Sequence, residues 1–136
     1  MVKIGLEIHG YINSNEKLFC RCKTIHGLKF SEPNTNICPI CTGQPGAKPM
    51  LTNKTAVDKS IQIGLILNCK MNNKLIWQRK HYDWPDLPKG YQNTISGAHA
   101  KTTGENGEFL GIRIREVHLE EDPAAWNPKT GEIDYN

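Results

Sequence analysis

Phe109-Leu110-Gly111-Ile112-Arg113-Ile114-Arg115-Glu116-Val117-His118-Leu119-Glu120 alternates apolar and polar side chains, and that alternation decides how the chain is read. A period of two is the mark of a half-buried strand. Leu110, Ile112 and Ile114 share one face, but the apolar residues change phase at Val117 and Leu119. A one-residue slip of this kind predicts a bulge. Its consequence is that Glu116, His118 and Glu120 turn away from the core. A second alternating run opens the chain: Val2, Ile4, Leu6 and Ile8 fall on one side, with Glu7, His9 and Tyr11 on the other. It too predicts a half-buried strand. Set side by side, the two strands would gather Glu7, His9, Glu116, His118, Glu120, Glu121 and Asp122 in one patch. Oxygen donors with an imidazole suit a magnesium ion on ATP phosphates, and phosphoryl transfer depends mainly on positioning and charge neutralisation. Solvated strand ends can carry the same residues, so the spacing alone leaves both readings open.

Between these strands the pattern changes to helical. Thr52 or Asn53 is placed to cap a helix ending near residue 68. Val57, Ile61 and Leu65, with Gly64 or Asn68, form its expected buried stripe. Ile63, Ile66 and Leu67 widen that stripe and predict cover on more than one side. Strand-like residues return at 75–78, residues 83–90 break regular structure, and residues 102–107 read as a polar turn. Asn127-Pro128-Lys129-Thr130-Gly131 is another turn, and Ile133 starts a further element. The chain is therefore expected to be α+β, a single unit over 1–136 with one main helix.

A length of 136 residues, a net charge of +3 and a mean hydropathy of −0.54 fit a loop-rich domain with a modest core. The charges are interspersed, unlike the dense cationic stripe of a dedicated DNA-binding module. No apolar run reaches the roughly 18 residues of a membrane helix, and no secretion signal opens the chain. Five Cys in that setting read as metal ligands plus one spare in a reduced, cytoplasmic compartment.

Four of the thiols form two close pairs, Cys20-x-Cys22 and Cys38-Pro-Ile-Cys41, inside an irregular lobe at about 18–49. Two chelating pairs joined by a loop supply the tetrahedron of a structural zinc, with no position open for chemistry. The first pair is tighter than the common spacing, and His26 could replace one thiol. Cys69, at the helix end, reads as a small buried hydrophobe. Arg79-Lys80-His81-Tyr82-Asp83-Trp84-Pro85-Asp86-Leu87-Pro88-Lys89-Gly90-Tyr91-Gln92 mixes cations, aromatics and prolines. Such a loop can offer Arg and Lys to phosphates and aromatics to a base, or it can simply pack its aromatics beneath a surface connection.

These segments together resemble the B subunit of the aspartyl/glutamyl-tRNA(Asn/Gln) amidotransferases. The likeness rests on Ile4-Gly5-Leu6-Glu7-Ile8-His9, the two Cys pairs, Pro33-Asn34-Thr35-Asn36, and Gly43-Gln44-Pro45-Gly46-Ala47-Lys48-Pro49. It continues through the basic aromatic run and Arg115-Glu116-Val117-His118-Leu119-Glu120-Glu121-Asp122. The wording is nearest to archaeal members. The resemblance implies a ligase that uses ATP and magnesium to phosphorylate the side-chain carboxylate of Glu-tRNA(Gln) and/or Asp-tRNA(Asn). Ammonia from an amidase partner then forms the amide. It implies an antiparallel sheet cradle like the catalytic domain of glutamine synthetase, and a heterotrimer completed by the amidase and a small third protein. By position Glu7 and His9 match the family's magnesium-binding pair, and Glu120 or Glu121 its next acidic ligand, with Glu120 favoured because it shares the polar face with His118. Arg79, Lys80, Lys89 and Tyr91 become candidates for the nucleotide or the aminoacyl end. Family members continue past residue 136 into another acidic segment and helical tRNA-gripping domains. The chain thus reads as an incomplete N-terminal cradle domain, expected to be inactive alone. A different reading is a non-catalytic, zinc-stabilised tRNA/RNA-binding module, against which the acidic cluster argues, since acids repel phosphates unless a cation intervenes.

Overall fold

A computed structural model describes residues 1–25, 31–83 and 89–136. His26 and residues 84–88 of the basic loop lie outside the described residues. The architecture is α+β with antiparallel pairing throughout. Among the described residues helix α1 spans Lys54–Ile66, and seven short strands follow it: β1 Lys70–Met71, β2 Gln78–His81, β3 Tyr91–Thr94, β4 Gly104–Phe109, β5 Ile112–Val117, β6 Ala125–Trp126 and β7 Ile133–Asp134. They form one sheet in the order β1-β4-β5 and two hairpins, β2-β3 and β6-β7.

Helix α1 begins where the sequence places its cap. The Asn53 side chain accepts from the backbone N–H groups of Thr55 and Ala56 at 2.9 and 3.4 Å, satisfying donors that the first turn leaves free. It ends at Asn68, which takes φ +52° while Cys69 N–H reaches back to Gly64 O and Asn68 N–H to Leu65 O. That is the Schellman closure, with asparagine in the place usually taken by glycine. The buried face matches the expected one at Gly64 and differs from it elsewhere. Ala56, Ser60 and Gly64 are buried, whereas Ile61, Ile63, Leu65 and Ile66 are exposed. Small residues at this spacing let the sheet approach closely: Ser60 Oγ lies 2.7 Å from Thr103 Oγ1, and a Cβ at Gly64 would meet Met71 Cε at 2.9 Å. Proximity to the sheet, rather than hydrophobicity, selected the stripe.

The stretch 109–120 is not one strand. Phe109 closes β4, Leu110 and Gly111 form a two-residue hairpin turn with φ of +50° and +78°, and Ile112 opens β5. Both central residues at positive φ suit the twist of the flanking strands. The run 102–107, read from sequence as a polar turn, supplies the first four residues of β4, 104–107. The register is the same from Phe109↔Ile112 to Gly104↔Val117, so no extra residue is inserted on either strand, although Asn106, at φ +56°, and Arg115 drop out of the ladder. The apolar phase changes because the chain changes partners. Beyond Val117 it leaves β4 and runs beside the β3 chain, with Ile95 N–H to Leu119 O and Glu121 N–H to Asn93 O.

Among the described residues the expected strand near the N-terminus finds no partner: residues 2–11 carry no ladder there, and Val2, Ile4, Leu6 and Ile8 are 84–89% exposed. Alternation specifies how a strand would sit, but its N–H and C=O groups still need an edge to pair with. The core is small, as composition implies: Phe19, Cys20, Ala56, Cys69, Ile95 and Leu119 are its buried apolar residues, and Phe19 meets Trp77 edge-on at 4.8 Å. Cys69 is indeed buried, and that burial raises its thiol pKa. No described helix is long and apolar enough to cross a membrane.

Candidate functional site

The irregular lobe places its four thiols together. The Sγ atoms of Cys20, Cys22, Cys38 and Cys41 all lie within 4.8 Å of one another. A zinc tetrahedron with metal–sulfur bonds of about 2.3 Å requires sulfurs about 3.8 Å apart; Cys38 and Cys41 stand at 3.9 Å. The turn Cys38-Pro39-Ile40-Cys41 is closed by Thr42 N–H to Cys38 O and Gly43 N–H to Ile40 O. Burial pushes the thiols of Cys20 and Cys22 up. At Cys38 burial acts the same way, but the N–H groups of Cys41 and Ile40 donate to the sulfur and leave it lowered to about 7. Part of the work of making thiolates is thus done by the backbone, and a soft dication would supply the rest. The residues present fit a structural zinc.

The lobe also reaches the acidic region. Gly43, at φ +67°, packs so closely on Lys89 that a Cβ there would fall 2.7 and 2.8 Å from its Cδ and Cγ. Lys89 Nζ in turn pairs with Glu121 Oε1 at 2.5 Å, and the two side chains are only 8% and 15% exposed.

The acidic region is organised by β2, β3 and residues 119–121. Arg79 pairs with Asn93, Lys80 with Gln92, His81 with Tyr91, and Thr94 with Glu120. Cross-strand partners share a face and neighbours alternate, so the expected site residues divide in two. One face carries Lys80, Thr94, Ser96, Glu116, His118 and Glu120. There Thr94 Oγ1 donates to Glu120 Oε1 at 2.8 Å and Ser96 Oγ to Glu116 Oε1 at 2.5 Å. His118 bridges the two acids, with Nδ1 3.2 Å from Glu116 and Nε2 3.5 Å from Glu120. The other face carries Arg79, Tyr91 and Glu121. Arg79 lies 4.3 Å over the Tyr91 ring, Lys89 Nζ lies 5.0 Å from the same ring, and Glu121 accepts from Asn93 as well as from Lys89.

Glu7 and His9 pair with each other at 3.3 Å and are largely exposed. They nevertheless act on the first face. Lys80, whose Nζ lies 5.3 Å from the Tyr82 ring, is raised chiefly by the Tyr82 side chain, with smaller contributions from the charges of Glu120 and Glu7. Asp122 is raised by the crowding of protein around its carboxyl, although its outer surface is exposed, and His9 acts on it in the opposite sense. Glu7 and Glu120 thus both act on Lys80, and His9 on Asp122, but Glu7, His9 and Glu120 are not drawn to a common point. Among the described residues the four thiols are the one set gathered that tightly. Glu121 and Lys89 are held by each other, and Arg79 and Tyr91 lie with them.

Three contributors escaped the sequence reading: Thr94, which is fully buried and steadies Glu120; Ser96, on Glu116; and Asn93, on Glu121. Their signal was the polar alternation of Tyr91-Gln92-Asn93-Thr94-Ile95-Ser96, legible only once that run is paired with 116–121.

Known proteins share this sequence over almost its whole length. The chain is 52% identical over 137 residues to the B subunit of the aspartyl/glutamyl-tRNA(Asn/Gln) amidotransferase of Methanococcus maripaludis strain C5. It is also similar to those of Methanocaldococcus jannaschii, at 51%, and Methanopyrus kandleri, at 48%. Each match covers 99% of this chain, which spans 28% of the length of those relatives. A family model described as the GatB/GatE catalytic domain matches residues 2–136. The chain belongs to the GatB/GatE catalytic domain family.

Proposed function

We propose that this chain carries part of the ATP-dependent step of a tRNA-dependent amidotransferase, activating the side-chain carboxylate of Glu-tRNA(Gln) and/or Asp-tRNA(Asn). The observation that supports it best is the single face holding Lys80, Glu116, His118 and Glu120, with Glu7 acting on Lys80 from the N-terminal segment. On this reading the sheet is part of a cradle like that of glutamine synthetase. The substrate carboxylate attacks the γ-phosphorus of ATP, ADP leaves, and ammonia from an amidase partner displaces phosphate from the mixed anhydride.

The donor set suits magnesium, which is held by one or two carboxylates plus substrate phosphates rather than by a closed protein cage. Glu120 would hold it, with Glu7 and His9, which stand apart from Glu120 here, as the candidates for its remaining protein contacts; when bound it would neutralise charge on the transferring phosphoryl group. This chain's own residues do the rest. Thr94 and His118 fix the Glu120 carboxylate, and Lys80 offers a cation beside it. The Lys89–Glu121 pair braces the strand from the opposite face. That division favours Glu120 over Glu121 as the metal ligand on this reading. An RNA-binding module without catalysis is not favoured, because Arg79 and Lys89 are spent on Tyr91 and Glu121.

The test is ADP formation by the full-length protein with its partners, given ATP and magnesium, with and without Glu-tRNA(Gln). Misacylated tRNA is expected to raise ADP formation at least ten-fold. Tight tRNA binding with no change in ATP turnover contradicts the proposal.

A further inference from the structure

We propose that Lys17 is the outer-sphere partner of the four-thiolate centre, and that its ammonium group on Cys41 sets how readily the lobe gives up its metal. The proposal rests on the zinc reading of the lobe and is independent of the reaction assigned to the acidic face. Lys17 Nζ lies 3.6 Å from Cys41 Sγ and also donates to Asn36 O at 2.8 Å and to Tyr135 O. An ammonium has three protons and no acceptor, and here each proton has a partner. Cys41 Sγ receives a second donor, the Cys38 backbone N–H at 3.2 Å.

Four thiolates around a dication leave roughly two negative charges on the centre. Uncompensated, that charge makes the sulfurs nucleophilic and easily protonated, and both routes end in metal loss. Lys17 is positioned to offset it. The neighbouring cation Arg21 is turned outward onto Glu16 at 2.8 Å and is largely exposed, and Lys23 is exposed as well, so the basic residues around Cys20 and Cys22 are not equivalent. The Lys17 contacts also connect the centre to distant segments. Asn36 N–H donates to Asn136 Oδ1 at 2.8 Å, and Asn34 bonds Asp134 and Ile133. The ammonium thus joins the second cysteine pair, the loop before it and residues 133–136.

The experiment loads the full-length chain with zinc and follows its transfer to a chromogenic chelator. In parallel, cobalt is substituted and its sulfur-to-metal charge-transfer band recorded. Lys17→Met keeps most of the aliphatic stem and removes the charge. It is expected to release zinc on the order of ten-fold faster, as loss of an outer-sphere partner typically does, and to move the cobalt band to lower energy. Lys17→Arg, whose planar fork cannot reproduce three divergent bonds, is expected to fall between. Arg21→Met removes the same charge close by without touching a sulfur and is expected to behave as wild type. A cobalt band unmoved in both Lys17 variants overturns the proposal, because a purely structural lysine would change release without changing the sulfurs. Equal release from Arg21→Met and Lys17→Met also overturns it. A wild-type chain that takes up neither metal overturns the zinc reading and the proposal together.

Discussion

At the scale of single residues, adjacent acids have different tasks because a strand sends neighbours to opposite faces. Glu120 faces Lys80 and His118, while Glu121 is fixed by Lys89 and Asn93. Sequence could name both and could prefer Glu120 from alternation, but not see that Glu121 already has its cation. That lysine is nearly buried, and removing one partner of such a pair strands the other. Glu121→Gln should therefore lower stability by about 3 kcal/mol, read as a fall in the unfolding midpoint in urea. Glu120→Gln should leave the midpoint almost unchanged. Cys38 gives a second residue-level test. Its thiol is lowered from 9.0 to about 7, so above that value it is mostly thiolate, and below it mostly protonated. In metal-free chain its alkylation by iodoacetamide should rise through about pH 7 and level off above it. A rise centred near pH 9, the ordinary thiol value, is the contrary result.

At the scale of elements, the helix was legible because its signals are local. Asn53, one of the two caps the sequence offers, starts it, and it closes at Leu67 and Asn68, near the end the sequence places. Its buried face was not legible, since hydrophobicity pointed to Ile61 and Leu65 while close approach of the sheet selected Ala56, Ser60 and Gly64. The break at Leu110-Gly111 was hidden for a related reason: alternation continues through a two-residue hairpin, so periodicity cannot distinguish one long strand from two. Residues 2–11 show the converse, a clear pattern with no partner. Their amides are expected to exchange rapidly in this 136-residue chain, those of β5 slowly; comparable protection of both would contradict the fold described. Close approach can be tested at Gly107, where a Cβ would fall against the Leu67 carbonyl oxygen and 2.6 Å from Cys69 Sγ. Gly107→Ala should cost about 1–3 kcal/mol, measured by thermal or urea unfolding.

At the scale of the whole molecule, the cysteine lobe and the acidic strands form one mechanical unit. The turn carrying Cys38 and Cys41 runs into Gly43, Gly43 packs on Lys89, and Lys89 holds Glu121 beside Glu120. On the zinc reading, chelation should therefore loosen the acidic face as well as the lobe, seen as faster amide exchange at Asn93 and Glu121. The spacing of the thiols announced the first half of this unit. The second half depends on contacts between segments far apart in the chain, which no local pattern encodes.

The central claim is that Glu120 belongs to the phosphoryl-transfer face and Glu121 to its support. The most direct measurement is a single turnover of γ-labelled ATP by the full-length protein with its partners and Glu-tRNA(Gln), comparing Glu120→Gln with a folded Glu121→Gln protein. The account predicts that Glu120→Gln leaves the label on ATP, at least a hundred-fold slower than wild type, while Glu121→Gln still transfers it. Transfer at the wild-type rate by Glu120→Gln contradicts the account.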